Sequence, residues 1–434
     1  MINPEWVRNN PNIIKNSQLA RGESPTLVDD FLHQDELWRK YTVEVDALRT
    51  EQKSINKNIG EHTSKKKLTT DLDKDKQLEQ LKTKATLISE KIEELSIKQV
   101  LAKKNAEESM TKISNLVHPD APIGGESDYK VIETVGKPRN FDLEGIKPKD
   151  HIELGTKLKL FDLERGAKVS GSRFYYLIGN GALLEFALVN FAIDIARSKG
   201  FIPVIPPALV KPAAMQGTGF LGQAAENVYR IEQDDLYLVG TSEVPLAALH
   251  MDEILNRNEL PLKYAGYSPC FRREAGTHGK DSKGIFRVHW FDKVEMFIFS
   301  TTEDAEKMHY ELLEIEKEIL SKLEIPFRVI DVATGDLGSS ASRKFDCEAW
   351  IPSSNEYKEL TSTSNCTEFQ SRRLRIRTRE SDKTKYVATL NGTLLAVTRT
   401  IIALLENHQQ KDGSFKIPKA LQPYLNNQKM LSCE

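Results

Sequence analysis

The chain has 434 residues, a formal net charge of −2 and 39% hydrophobic residues, with a pI near 6.6. That length suggests roughly two to three domains. The near-neutral charge excludes a global nucleic-acid surface, so any contact with RNA must rest on local basic patches.

Cys270, Cys347, Cys366 and Cys433 lie far apart, and no Cys-x-x-Cys or Cys/His cluster has zinc spacing. The expectation is therefore no structural zinc and a reducing compartment. The start, Met1-Ile-Asn-Pro-Glu-Trp, lacks the pattern of a secretory or organellar leader, and no apolar run approaches about 18 residues. These features predict a soluble, cytoplasmic protein without a membrane span.

Residues 1 to 27 read as a small helical cap, with Trp6, Val7, Ile13, Ile14 and Leu19 available for packing. A heptad follows, with Phe31, Gln34, Trp38, Tyr41, Val45, Leu48, Gln52, Ile55 and Ile59 at alternating spacings of three and four. After a polar break from His62 to Asp71, a second seam runs through Leu78, Leu81, Ala85, Ile88, Ile92, Leu95, Gln99, Ala102 and Ala106 to Leu116. Two a/d seams joined by a short break predict an antiparallel two-helix coiled-coil arm over about residues 28–116. At 1.5 Å per residue such an arm reaches about 45–60 Å. Lys53, Lys57, Lys65, Lys66, Lys67, Lys74, Lys76, Lys82 and Lys84 crowd its outer part. They could grip a phosphate backbone, or, with acids interleaved, form an ordinary charged coiled-coil surface.

His118-Pro-Asp-Ala-Pro-Ile-Gly-Gly punctuates the chain, which divides it into an arm over 1–117 and a second domain over 118–434. An amphipathic helix is predicted from Gly181 to Lys199, with Gly200 as its C′ residue. Phe201-Ile-Pro-Val-Ile-Pro-Pro follows as a proline-bearing strand suited to an edge or interface. A strand from Asp235 delivers Thr241, Ser242 and Glu243 to a turn. The triplet could bind a small polar substrate or cap a helix over Leu246 to Ile254.

Two strands joined by a long polar loop are predicted between Phe271 and Glu295. Strand alternation puts Arg287, Phe291 and Glu295 on one face, and Arg272 and Glu274 on one face of the partner. Such a set suits a triphosphate, a base and an ammonium group, although a solvated hairpin with scattered ion pairs would look alike. Thr301 to Lys322 reads as a helix with Glu303 as a capping acid, and strands follow at Pro326–Asp331, Phe345–Pro352 and Tyr357–Ser364. Glu359 and Ser362 are oxygen donors suited to Mg²⁺. Their odd spacing places them on opposite strand faces, so joint use needs a bend or a water. An apolar helix is expected from Thr393 to Glu406. Arg399 within it has either an anionic partner or, with Glu406 seven residues on, a solvated stripe.

Taken in order, these motifs resemble the seryl-tRNA synthetases, a family of class II aminoacyl-tRNA synthetases, over essentially the whole chain. The class has three motifs. A long helix leading to a proline-ended strand is matched at 181–207, a Phe-Arg-x-Glu strand-loop-strand at Phe271-Arg272-Arg273-Glu274 with its partner strand, and an arginine-bearing helix at Arg399. Thr241-Ser242-Glu243, the run from His278 to Glu295 and the run from Thr361 to Arg373 look like the serine family's own patterns. The implied fold is α+β: an antiparallel β-sheet class II core flanked by helices, plus the coiled-coil arm.

The resemblance implies activation of L-serine by ATP and transfer to the 3′ end of serine tRNA, selenocysteine tRNA included, by a homodimer joined through 181–207. Arg272, Arg287 and Arg399 would be catalytic. Arg272 would hold the α-phosphate, Glu274 the adenine amino group, Phe291 and Arg399 the two faces of adenine, and Arg287 the outer phosphates. Arg273, Val288, His289, Trp290, Leu360 and Thr361 would extend the ATP site, while Glu359 and Ser362 would place Mg²⁺. The serine site would comprise Thr241, Ser242, Glu243, Arg272, Glu295, Asn391 and Thr393. The arm would hold the tRNA.

One departure concerns Asn391-Gly-Thr-Leu-Leu-Ala-Val-Thr-Arg399, where Leu394 and Thr398 stand at positions the family commonly fills with glycine. Two other classes keep the same motifs: a relative that loads a different carrier, and a non-enzymatic scaffold. The first is separated by a charging assay. The second would have lost the phosphate arginines or serine-site acids, which are present here.

Overall fold

The computed structural model describes residues 1–66, 72–222, 225–275, 283–380 and 383–432. Lys67 and the stretch from His278 to Ser282 lie outside the described residues, as do the side chains of Lys65, Lys66 and Lys74. The chain divides into two compact units. One comprises Asn3–Leu19 with Glu23–Ile113, the other Met1–Ile2, Ala20–Gly22 and Ser114–Glu434. Among the described residues no helix is long and apolar enough to cross a membrane.

The smaller unit is helical. Helix α1 (Pro4–Asn9) opens where Asn3 accepts from the Glu5 N–H, and α2 (Pro11–Ala20) follows. Helices α3 (Thr26–Lys66) and α4 (Leu72–Lys112) have 41 residues each, about 60 Å at helical rise. Both carry the 3-4 spacing of apolar residues, and that spacing decides their pairing. Phe31, Val45 and Ile55 are buried on α3, as are Leu78, Ile88, Leu95, Ala102 and Ala106 on α4. Polar rungs fix the antiparallel register: Gln52 Nε2 donates to Ser89 Oγ at 2.7 Å, and Gln99 Nε2 to Thr42 Oγ1 at 3.0 Å. The helix does not break at His62. Thr63 and Ser64 donate to the carbonyls of Ile59 and Gly60, which satisfies their hydroxyls within the helix and carries α3 on to Lys66.

The larger unit is built on eight strands: β1 (Lys130–Val135), β2 (Ile202–Val204), β3 (Leu262–Phe271), β4 (Trp290–Ser300), β5 (Phe327–Asp331), β6 (Arg343–Ile351), β7 (Glu356–Asn365) and β8 (Ala388–Ala396). Their order is β1-β5-β6-β7-β8-β4-β3-β2, antiparallel except where β2 joins β3 in parallel. The proline-bearing β2 takes the edge, where a missing N–H costs no ladder bond. Helices α5 (Asn180–Ser198), α7 (Ala305–Lys322) and α9 (Val397–His408) cover one sheet face. Leu184, Leu188 and Phe191 of α5, Leu312 and Ile319 of α7, and Ile401 and Leu404 of α9 join Met296, Ile298, Phe345 and Leu390 in one core. Alternation then turns Phe291, Lys293 and Glu295 of β4 to the opposite face, which holds the candidate site.

Two bulges retune that alternation. Between β6 and β7, Cys347 pairs with Thr361 and Glu348 with Glu359, so Leu360 is the extra residue. Between β4 and β8, Val294 pairs with Leu395 and Glu295 with Thr393, so Leu394 is extra. Gly392 leaves room beside the second bulge, where a Cβ would come within 2.8 Å of Glu316 Oε1 on α7.

Several boundaries differ from the sequence reading. Thr393–Ala396 is strand, since it sits in the middle of the sheet, and the helix begins at Val397. The helix expected over Leu246–Ile254 is the short α6 (Glu243–Ala247), after which the chain turns through Asp252 at φ 69. α7 starts at Ala305, and Thr301 Oγ1 bonds Asp304 where Glu303 was expected to cap. Glu406 is no solvated stripe: it is fully buried and accepts from the His151 and Ser353 N–H groups, each at 3.0 Å.

Candidate active site

The expected hairpin forms, but its strands end early. β3 stops at Phe271 and β4 starts at Trp290, so Arg272, Glu274 and Arg287 lie beyond the pairing and strand parity does not aim them. Loop geometry gathers them instead. Glu274 adopts a left-handed φ of 48, and Arg272 N donates to His289 O at 3.0 Å while His289 Nδ1 lies 2.9 Å from Arg272 O. This latch closes the loop ends and sets Arg272 over the Phe291 ring, 5.2 Å from its centroid.

Arg272, Glu274, Phe286, Arg287, Val288, Phe291, Lys293, Glu359, Leu360, Thr393, Ala396, Thr398 and Arg399 line one cleft. Across it, Arg399 lies 4.8 Å from the centroid of Phe286 and donates to Glu359 O at 3.0 Å. Arg287 Nη1 approaches Glu274 Oε2 at 3.6 Å, and its buried Nε has no hydrogen-bond partner among the described residues. The packed protein works against the charge of Glu359. The cations Arg399, Lys344 and Arg272 outweigh that effect and hold its carboxyl below the usual carboxylate range.

Beside this mouth lies a buried pocket. Lys293 Nζ sits 2.5 Å from Glu295 Oε2, 2.7 Å from Thr241 Oγ1 and 3.5 Å from Thr393 Oγ1. Thr393 Oγ1 donates to Glu295 at 3.1 Å, and Thr241 Oγ1 also accepts from the Glu243 N–H. Thus Thr241, not Ser242, caps the start of α6. Glu243 is pushed up to about 7, first by burial and then by the Glu295 carboxylate. The pocket can form because residue 266 is glycine: a Cβ there would meet Leu246 Cδ1 at 2.8 Å and Ser242 Cβ at 3.1 Å.

The Leu360 bulge supplies the bend that Glu359 and Ser362 needed. Their partners Glu348 and Asp346 share a face of β6, so Glu359 and Ser362 share one too. Asp346, beside them, is raised to about 7 by burial. Its Oδ1 has no hydrogen-bond partner among the described residues. Leu394 and Thr398 are both buried, Leu394 in the helix-side core and Thr398 along the cleft.

Four residues expected at the site, Trp290, Thr361, Ser242 and Arg273, are placed elsewhere. Trp290 stacks on Tyr175 with centroids 5.5 Å apart, on the face of β4 away from Phe291. Thr361 donates to Glu316 of α7 at 2.9 Å on the helix side. Ser242 bonds Ser268 at 2.7 Å under α6, and Arg273 is exposed with its guanidinium 5.9 Å from the Tyr229 centroid. Asn391 lies on the same face of β8 as Thr393 and points its Nδ2 at Cys366 Sγ, 3.6 Å away. His289 acts as the latch described above.

Two pocket residues escaped the sequence reading. Lys293 stands between Phe291 and Glu295 at period-2 spacing, so the same alternation could have found it. Gln370, which donates to Glu243 at 2.7 Å, left no such signal.

Residues 1–117 match the seryl-tRNA synthetase N-terminal domain, and residues 227–408 match the class II tRNA synthetase core domain of the G, H, P, S and T enzymes. A serine–tRNA ligase of Streptomyces avermitilis is 56% identical over 99% of each chain. Among solved structures, the seryl-tRNA synthetase of Pyrococcus horikoshii complexed with ATP is 40% identical with a TM-score of 0.92 over 100% of both chains. The cytoplasmic serine–tRNA ligase of Naegleria fowleri in complex with AMP is 34% identical, with a TM-score of 0.87 over 99% of this chain and 97% of that one.

Proposed function

The chain belongs to the seryl-tRNA synthetase family of class II enzymes, and on that premise we propose that it joins L-serine to ATP as seryl-adenylate and passes the seryl group to the 3′ end of serine tRNA. The observation that carries this reading is a single strand. On one face of β4, Phe291 opens to an arginine-lined mouth, Glu295 to a carboxylate-lined pocket, and Lys293 lies between them.

The mouth suits ATP. Phe291 and Arg399 offer the two faces between which adenine stacks, and Glu274 accepts from its amino group. Arg272 neutralises the α-phosphate while Arg287 and Arg399 take the outer phosphates. The pocket suits serine. Glu295 and Glu243 face the ammonium group, Thr241 and Thr393 match the hydroxyl, and Lys293 offsets one of the two carboxylates. With both substrates seated, the serine carboxylate attacks the α-phosphorus in line and pyrophosphate leaves. The terminal 3′-hydroxyl of tRNA then attacks the activated carbonyl and AMP departs. No protein nucleophile is needed, because adenylation supplies the leaving group. Rate enhancement comes from positioning and fixed positive charge. Alanine is disfavoured because it leaves buried hydroxyl partners unpaired.

The family implies Mg²⁺, and the residues present fit it. Glu359, Ser362 and the unpartnered Asp346 Oδ1 are hard oxygen donors on one sheet face. When bound there, the ion would neutralise phosphate charge. We assign the helical unit to the tRNA, supported by its length and by the exposed Lys53, Lys57, Lys76, Lys82 and Lys84. A homodimer through 181–207 is supported by the exposed apolar Leu183, Phe186, Ile202 and Ile205. A cytoplasmic setting agrees with the free thiols of Cys270, Cys347 and Cys366.

The test has two stages. Pyrophosphate exchange across all amino acids should respond to serine alone, and charging of total tRNA should load serine tRNA. Deleting residues 30–112 should leave exchange within about twofold and reduce charging by a factor on the order of 10³. Undiminished charging by the truncated protein would refute the arm's role, and exchange with another amino acid would refute the pocket assignment.

A further inference from the structure

Behind the pocket carboxylates lie two polar side chains that the proposed chemistry does not use. Gln370, on α8 (Phe369–Leu374), and Thr389, near the start of β8, are both fully buried. Thr389 Oγ1 donates to Gln370 Oε1 at 2.8 Å, and Gln370 Nε2 donates to Glu243 Oε1 at 2.7 Å. Three elements distant in sequence thus converge on one carboxylate. When Glu243 is ionised, turning the amide over would set its oxygen against a carboxylate oxygen, so the ionised state gives the relay one direction. Buried polar groups cost free energy unless fully paired, and an apolar pair would pack here without that demand.

The groups around Glu243 make its charge state a matter of balance. Glu295 on β4 repels its ionised form, whereas Lys293 on the same strand and Arg272 beyond β3 favour it, and the Cys366 thiol lies near. Gln370 is the one hydrogen-bond donor from a side chain found on Glu243 among the described residues.

We propose that Gln370, oriented by Thr389, is a positioning residue that keeps Glu243 ionised and aimed, so that the pocket selects a substrate bearing a free ammonium group. This rests on the reading of Glu243 as a serine-pocket residue. Lys293 is paired with Glu295 at 2.5 Å, so an ionised Glu243 is left to meet the substrate ammonium. Without the Gln370 donor, burial and Glu295 drive Glu243 towards the neutral acid, which binds an ammonium poorly. The relay acts on binding through the protonation state of another residue and touches neither ATP nor the reacting atoms.

The experiment is the pH dependence of serine-dependent pyrophosphate exchange for the wild type and for Gln370→Met, Thr389→Val, Thr389→Ser and Glu243→Gln. Loss of the donor raises the pH at which Glu243 ionises, so the acid limb of kcat/KM for serine should move up by about one pH unit in Gln370→Met. Activity should fall about tenfold at pH 6.5 and recover by pH 9, with the KM for ATP unchanged. Thr389→Val should move the limb the same way by less, and Thr389→Ser should restore it. If Gln370→Met fails to fold, the Thr389 pair decides the question. A loss that is equal at every pH, or limbs that do not move, overturns the relay. If Glu243→Gln raises the KM for serine while those limbs stay put, the relay alone is wrong. If Glu243→Gln leaves that KM at its wild-type value, the pocket reading falls as well.

Discussion

The arm and the active site use charge in opposite ways. Apart from the buried Asp35, which pairs with Arg39 and Arg8, the ion pairs along α3 and α4 are exposed: Lys98–Glu94 at 2.5 Å and Lys84–Glu51 at 2.8 Å both keep about half their side-chain surface in water. Such pairs contribute little, and the helices are held by a seam of Val, Ile, Leu and Ala repeated every three or four residues. In the pocket, Lys293 and Glu295 are 7% and 2% exposed at the side chain. There desolvation is severe, and each charge depends on its partners. A surface charge of the arm can therefore be exchanged singly, whereas a pocket charge cannot.

Five substitutions test that contrast, beginning with the largest effect. Arg272→Ala removes the cation proposed to hold the α-phosphate and should lower serine-dependent exchange by about 10³-fold or more; near-normal exchange would end the assignment of that arginine. Lys293→Met leaves Glu295 buried without its ion pair, which typically costs about 3–5 kcal/mol. It should lower the thermal midpoint of the larger unit and raise the KM for serine about 100-fold, whereas Lys98→Met on the arm should change neither. Equal effects from the two lysines would erase the distinction.

Leu95→Ala truncates a buried seam residue and should weaken pairing of the arm helices by about 2–3 kcal/mol. Amide hydrogen exchange would register that as faster exchange confined to α3 and α4, with pyrophosphate exchange intact. The smallest effect concerns His309 on α7, which is buried against Phe345 and donates to Thr363 O at 3.1 Å. Burial lowers its pKa to about 4, with Arg343 and His118 adding to the shift. A depressed folded-state pKa means that the stability it confers is present above pH 6.5 and is lost as pH falls from about 6.5 to 4. The loss at pH 5.5 is about 1 kcal/mol. Denaturant titrations of His309→Gln should show a flatter slope over that window; an unchanged slope would contradict the assignment.

Legibility in the sequence followed the range of the interactions. The arm was readable because its seam is a local period; among the described residues the misses were the start of the turn, where Thr63 and Ser64 bond back into α3, and the end of α4, which stops at Lys112 short of the expected Leu116. The proline-bearing edge strand was readable for a similar reason, since a residue without an N–H limits its own position. The helix expected from Thr393 was misplaced because Thr393–Ala396 is as apolar as a helix segment of that length, and only its place between β4 and β7 makes it strand. The two extra leucines, Leu360 and Leu394, left no pattern at all, yet each reverses which side chains face the cleft.

The order of the elements, the family and the residue types proposed to meet ATP and serine were therefore legible in the chain alone, because helical and strand periods and short motifs are written in consecutive residues. Which of those residues share a surface depended on the folded chain. It moved Arg272 and Arg287 off the strand ends into one cleft, turned Trp290 and Thr361 away from it, and brought Gln370 and Thr389 to Glu243 across separations of 127 and 146 residues. Those placements depend on bulges, loop closure and the burial of charge, which are properties of packing between distant segments.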